Sequence, residues 1–371
     1  MLVAFRVDAS LKIGSGHVVR CITLADRLRG LGHQCIFITR RHPGHLGEMI
    51  AAKNFELHFL PRPEAETQCV EQSNTAHADW LGVSWQEDAK ETLKILKPVY
   101  ADWLIVDHYA LDERWEREIS GSVGRVMVID DLADRGHNCT LFLDQNLGRA
   151  SEDYDQLLSP SCIRLIGPRY AMLRPEFSQL REKSLRRREN PEIKRVLISF
   201  GGVDPDNVTG KVLRALLGAG LSPDVMLDIV VGAASPHLRD IQHQADALHV
   251  ASDVNVNVSN MAERMQLADL SIGAAGGTSW ERCCMGLPAI LVVLADNQVA
   301  GASALEKSGA AVVIPEAELV QDRLPALFRQ LCEPEVARRM SSCAAAVTLG
   351  DGANRVAQML TELGRVHDDR A

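Results

Sequence analysis

The sequence predicts an α/β fold in two domains. Short apolar runs alternate with amphipathic segments from end to end, the pattern of parallel strands joined by crossover helices. A chain of 371 residues exceeds the roughly 100–200 residues that one core usually organises. A charged stretch near the middle interrupts the strand–helix rhythm, which then restarts.

In the first half, strands are expected at about 2–8, 34–39, 103–107 and 125–130, with shorter ones near 56–60, 141–144 and 163–166. The run from Trp103 to Asp107 is apolar and then turns acidic, as a strand buried on both faces does where its carboxyl end leaves the sheet. Residues 178–194, QLREKSLRRRENPEIK in their main part, carry many charges and little apolar stripe, and are expected to link a domain of residues 1–177 to one of 195–371. After them, strands are expected at 195–200, 226–231, 269–272, 288–293 and 311–314. The apolar spacing of 352–364 predicts a last helix that packs on either domain.

Composition excludes several classes of function. Lysine and arginine number 40 against 49 acids, a formal net charge of −9, so nucleic acid is not an expected partner. Nine scattered cysteines, from Cys21 and Cys69 to Cys343, show no CxxC and no zinc spacing, and read as reduced thiols of a cytoplasmic protein. The start, MLVAFRVDAS, lacks the basic residues and cleavage site of a signal peptide, and no run reaches the roughly 18 uncharged apolar residues that span a bilayer. A cytoplasmic monomer without membrane insertion, metal or cofactor is the expectation.

The chemistry concentrates in three places. The first is Arg6-Val-Asp8 followed by Ile13-Gly14-Ser15-Gly16-His17-Val-Val-Arg20, a strand end, a glycine loop and a helix start. Glycines 14 and 16 let the backbone turn and approach a ligand, while the helix N-terminus favours an anion. The third glycine of a dinucleotide fingerprint is replaced by Val19, and strand two ends in Thr39-Arg40 with no acid for a ribose, so a nicotinamide cofactor is disfavoured. At the positive end of a helix a neutral imidazole is favoured, which fits His17 for general-base work, with a capping or packing histidine as the plain alternative. Asp8 is a candidate to orient His17 or to bind a hydroxyl; Arg20 is a candidate ligand-positioning or ion-pairing residue. Tyr109, in Asp107-His108-Tyr109, is a candidate to hydrogen-bond a sugar or a leaving oxygen, whereas Asp130 and Asp131 read as structural.

The second place is Gly201-Gly202-Val203-Asp204-Pro205, where two glycines before a helix form a backbone cradle for phosphate. The third is Gly276-Gly277-Thr278-Ser-Trp-Glu281, where the loop would meet a diphosphate and Glu281 would accept from both ribose hydroxyls, a capping-box acid being the alternative. Asn297 and Gln298, after the next strand, are candidates for the sugar or diphosphate.

Together these motifs resemble the GT-B fold, two facing Rossmann-like domains with an interdomain cleft. The third is similar to the UDP-binding signature of the lipid-linked N-acetylglucosaminyltransferases of peptidoglycan synthesis. The wider set, with Tyr170-Ala-Met-Leu-Arg174-Pro-Glu176-Phe177 added, resembles the UDP-2,4-diacetamido-2,4,6-trideoxy-β-L-altropyranose hydrolases of pseudaminic acid biosynthesis, which supply a nonulosonic acid for flagellin glycosylation. That resemblance implies loss of UDP to water at the anomeric carbon with inversion, with His17 as general base, Tyr109 and Asn297 near the reacting sugar, and Glu281 and the Met261 backbone at the uridine. The diphosphate loop, Gly276-Gly277-Thr278, is nearer to the transferases, so a UDP-sugar-dependent glycosyltransferase is the alternative that the resemblance leaves open.

Overall fold

The computed structural model describes residues 1–63, 75 and 77–368; Cys69 lies outside the described residues. The chain forms two compact units, Met1–Met172 with Gly352–Ala371, and Leu173–Asp351.

The first unit is built on seven parallel strands: β1 (Leu2–Val7), β2 (Gln34–Arg40), β3 (Glu56–Leu60), β4 (Trp103–Asp107), β5 (Arg125–Ile129), β6 (Leu141–Asp144) and β7 (Ile163–Ile166). Their order is β3-β2-β1-β4-β5-β6-β7. The connections include α1 (Gly16–Gly30), α2 (Gly47–Ala52), α3 (Trp85–Val99) and α4 (Glu113–Ser120). The central strands are largely apolar because helices cover both faces of the sheet. Phe5, Val7, Leu24 and Leu28 belong to one core layer, and Leu104, Trp115 and Ile119 to the other. The chain leaves β1 toward β2 on one side while β4 lies on the other, so the carboxyl ends of β1 and β4 flank the point where such sheets place ligands.

The second unit begins with α5 (Pro175–Arg187) and repeats the plan with β8 (Arg195–Ser199), α6 (Val208–Leu217), β9 (Met226–Val231), α7 (Leu238–Asp246), β10 (Ala251–Val256), α8 (Met261–Leu267), β11 (Leu270–Ala274), α9 (Thr278–Cys284), β12 (Ala289–Val292), α10 (Asp296–Lys307), β13 (Val312–Ile314), α11 (Val320–Leu331) and α12 (Pro334–Val347). Its six strands run β10-β9-β8-β11-β12-β13, all parallel, with the switch point between β8 and β11.

Two expectations are corrected. The stretch 178–194 is not a linker, because most of it lies in α5, which packs into the second unit. Several of its contacts there are polar: Arg181 donates to the carbonyls of Cys284 and Ala345, and Arg188 donates to those of Met265 and Ala268 at 2.7 and 2.8 Å, closing the carboxyl end of α8. The boundary therefore falls at Leu173, and the last helix, α13 (Gly352–Asp368), belongs to the first unit, where Val356 and Leu360 join its core. The edge strand β10, ASDVNV, was not anticipated; it is half exposed and half polar. Among the described residues no helix is long and apolar enough to cross a membrane, and no group of side chains is placed to hold a metal ion.

Candidate active site

The loop after β1 is built to deliver α1 at a fixed angle. Ser10 Oγ accepts from the N–H groups of Lys12 and Ile13 at 3.2 and 3.0 Å, and the Gly14 N–H donates to the Ser10 carbonyl at 2.9 Å. Gly14 sits at φ +78°, a conformation that costs glycine little and other residues much. Ser15, at the N-cap, makes no side-chain bond to the helix, and its first turn holds no acid. The N-terminal N–H groups of this 15-residue helix thus keep their capacity for an anion.

His17, on the first turn, is nearly buried, and its Nδ1 lies 2.6 Å from Asp107 Oδ1 at the end of β4. With the proton on Nδ1 facing the carboxylate, the lone pair falls on Nε2, the nitrogen free to take a proton. Arg20, one turn on, grips the same carboxylate: Nε to Oδ2 and Nη2 to Oδ1, each at 2.6 Å. Its Nη1 donates to Asp131 Oδ2 at 3.1 Å, and Asp131 Oδ1 accepts from the Tyr109 hydroxyl. Burial alone would push the Asp107 carboxyl up, but Arg20 and His17 outweigh it and hold the group well below the usual carboxylate range. Burial, with the negative Asp131 beside it, pushes the Tyr109 phenol well above its ordinary value, so Tyr109 stays protonated and donates its hydrogen bond to Asp131. Toward a ligand it therefore offers a lone pair.

The acid that orients His17 is thus not Asp8. Asp8 is fully buried, and its oxygens are taken by Arg6 Nη1 and Nη2 at 2.7 and 2.9 Å, the Arg40 N–H at 2.7 Å and Thr39 Oγ1 at 3.1 Å. Arg6 in turn binds Asp88, which also pairs with Arg40 and the Trp115 indole. Asp8 is the hub of a buried charge network that joins β1, β2 and α3, with no capacity left for a substrate hydroxyl. Arg20, likewise, is spent on two carboxylates rather than on a ligand. Asp131, read from sequence as structural, joins the site.

Sequence reasoning also missed an aromatic wall. Trp80 lies 5.7 Å from Tyr109 in a stacked arrangement and 6.5 Å from His17 edge-on, and His77 is 4.3 Å from Trp80 and 5.5 Å from Tyr109. Tyr109 itself meets His17 edge-to-face at 4.5 Å. Both His77 and Trp80 belong to a single 3₁₀ turn with no glycine or strand signal to flag it.

In the second unit, the loops after β8, β11 and β12 carry the remaining candidates. Gly201 adopts φ +91°, and Gly202 is so close to Gly232 that a Cβ on Gly232 would lie 1.9 Å from the Gly202 carbonyl oxygen. The start of α6 is not an open phosphate cradle, which corrects the expectation for this motif. Asp204 already accepts from the N–H groups of Val208 and Thr209 at 2.8 and 2.9 Å, and Asn207 accepts from Gly210 at 3.0 Å. Only the exposed backbone of Gly201 and Gly202 remains for a ligand.

The loop Ala275–Gly277 leads into α9 with no side-chain cap on the helix, so Thr278 and Glu281 do not form a capping box. Glu281 is partly buried; its Oε1 is 3.9 Å from Arg174 Nη2. Burial raises its carboxyl to about 7, against the opposing pull of Arg174 and Arg282. Gln298 Oε1 accepts from the Leu294 N–H at 3.1 Å, and its Nε2 would lie 3.9 Å from a Cβ on Gly276, so the two loops meet here. Asn297 is exposed on the first turn of α10, and Met261 opens α8 after β10.

Residues 226–356 match the C-terminal domain of glycosyltransferase family 28. A Methanocaldococcus jannaschii protein, MJ1062, is 26% identical over 81% of this chain, which spans 56% of that protein's length. A Campylobacter jejuni UDP-2,4-diacetamido-2,4,6-trideoxy-beta-L-altropyranose hydrolase is 24% identical over 83% of this chain and 97% of its own. Among solved structures, the Acinetobacter baumannii MurG crystal structure superposes with a TM-score of 0.69 at 16% identity, covering 97% of this chain and 99% of that one. With its two parallel-sheet Rossmann-like domains, the chain has the fold of the GT-B enzymes.

Proposed function

We propose that this protein hydrolyses a UDP-linked 2,4-diacetamido-2,4,6-trideoxyhexose of the altrose type, releasing UDP and inverting the anomeric centre, as a step in pseudaminic acid biosynthesis. The observation that carries the reading is the His17–Asp107 pair, which leaves Nε2 of His17 as a base beside an uncapped helix start. The similarity to the Campylobacter jejuni hydrolase over nearly its whole length supports the choice of substrate.

In this reading His17 Nε2 takes a proton from water as the water oxygen bonds to C1, and the bond from C1 to the diphosphate oxygen breaks with its electrons going to UDP. Diphosphate leaves without an acid carboxylate, so no glycosidase pair is needed. Asp107 holds the ring and stabilises the imidazolium; Arg20 and Asp131 fix Asp107 and Tyr109. Tyr109 accepts from a donor on the sugar, for which an acetamido N–H is suited. The Gly14 and Gly16 loop presents His17, the backbone N–H groups at Gly201, Gly202, Gly276, Gly277 and Thr278 serve the diphosphate, Gln298 and Asn297 the diphosphate and sugar, Glu281 the ribose hydroxyls and the Met261 backbone the uracil.

A second reading, transfer of the sugar to an acceptor hydroxyl, is favoured by the match of residues 226–356 to glycosyltransferase family 28. Proton NMR of the protein with the UDP-linked diacetamido sugar separates the two. Free sugar and UDP formed by wild type and not by His17→Ala support hydrolysis. Binding without turnover moves the assignment to transfer, and absence of binding removes both.

A further inference from the structure

The sulfurs of Cys139 and Cys162 lie 3.6 Å apart. Cys139 lies two residues before β6, and Cys162 directly precedes β7, its neighbour in the sheet. The register pairs Leu141 with Ile163, so Cys139 stands one residue off the partner of Cys162. Strands about 4.8 Å apart with one residue of offset put the two Cα atoms roughly 6 Å apart, within the range of a relaxed disulfide. The backbone around the pair is held: Thr140 N–H donates to the Val126 carbonyl at 2.8 Å, Ile163 N–H to that of Thr140 at 3.0 Å and Cys162 N–H to that of Ser159 at 2.9 Å. The site is also reachable, since Cys139 is partly exposed while Cys162 is buried beside it.

We propose that Cys139 and Cys162 form a thiol-oxidation site, which closes to an intramolecular disulfide when it meets a low-molecular-weight disulfide. One thiolate attacks the reagent and expels the first small thiol; the neighbouring sulfur then displaces the second, so two protein thiols are oxidised, one reagent disulfide is reduced, and both thiol protons leave with the products. Little motion is required, because rotation of the side chains carries the sulfurs from contact to bonding distance. None of the residues of the proposed hydrolysis takes part, so the site stands or falls independently of that reaction.

The sequence makes the test direct, because trypsin cuts after Arg135, Arg149 and Arg164 and leaves one of the two cysteines on each of two adjacent peptides. The native full chain, equilibrated with oxidised glutathione, is unfolded in guanidinium with the alkylating reagent present, then digested and weighed. The expected result is loss of two of the nine alkylatable thiols and a cross-linked pair of peptides 136–149 and 150–164, reversed by dithiothreitol and absent in Cys139→Ser and Cys162→Ser. Recovery of both peptides alkylated, a stable glutathione adduct on either, or a cross-link from either to another cysteine overturns the proposal.

Discussion

Nδ1 of His17 lies 2.6 Å from Oδ1 of Asp107, and the same carboxylate is held from its other side by Arg20. The histidine and the arginine that clamps its partner stand one turn apart on α1, while the carboxylate stands on the sheet. A carboxylate in this position fixes one imidazole tautomer, and its negative charge meets the imidazolium that forms as the proton is taken.

Asp107→Asn keeps the size of the side chain and removes both effects. UDP release by this variant is expected to fall by about 10²–10⁴-fold in kcat, with UDP affinity, measured by calorimetry, unchanged because the loops proposed to hold the nucleotide belong to the second unit. The variant also leaves Arg20 with Asp131 alone, so a loss of thermal stability accompanies the loss of rate. Unchanged kcat in a folded variant would remove Asp107 from the mechanism.

Binding of uridine is expected to depend on pH through Glu281. Its carboxyl is raised to about 7, chiefly by burial, so it is protonated below that pH and accepts poorly from ribose hydroxyls. Affinity should rise several-fold between pH 6 and pH 8, and Glu281→Gln should bind weakly with a flat profile. Uridine is the appropriate probe because its ribose is unaccompanied by a phosphate that titrates in the same range.

His137 makes the opposite kind of pH dependence, in stability. It is buried, and burial opposes its charge, but Glu116 at 2.7 Å and Asp130 outweigh this and raise it to about 9. A histidine raised on folding contributes fully below its unfolded value near 6.5, and the contribution disappears as pH climbs through 9. Denaturant melts should show His137→Gln to be less stable than wild type by about 3 kcal/mol at pH 6, with the gap closing above pH 9. A gap that stays constant with pH contradicts the assignment of charge.

Asp204→Ala tests whether the start of α6 serves the fold or a ligand. Removal of the carboxylate frees the N–H groups of Val208 and Thr209, which costs about 1–2 kcal/mol. UDP affinity is expected to stay the same or to increase, since an anion position opens. A drop in affinity without a drop in stability reverses the conclusion.

Much of the fold was readable from sequence because its signals are local. The buried strands, β4 and β12 among them, are apolar runs bounded by glycine or acid, and the glycine loop before His17 needs only neighbours in the chain to be recognised. What was misread depended on distant partners. Asp8 and Asp107 both end strands that lie side by side, with Val7 in register with Asp107, and nothing in either segment tells which carboxylate faces His17 and which faces Arg6. Asp131 gains its role from Arg20 and Tyr109, each remote in sequence. Segment 178–194 reads as a linker because much of its packing runs through Arg181, Ser184 and Arg188, donors that look solvated until their carbonyl acceptors are known. The aromatic wall of His77 and Trp80 follows from no periodic pattern.

His17 and Arg20 travel with one helix, whereas Asp107 and Asp131 are anchored to strand ends. Any slippage of α1 along or about its axis therefore misaligns the base and its clamp in a single movement. The residues that set its seating are Val18, Cys21, Leu24, Ala25 and Leu28, all buried against the sheet. In the proposed hydrolysis turnover is for that reason a gauge of how one helix is bedded in its core, and conservative changes of side-chain volume along that buried ridge will register in rate before they register in folding.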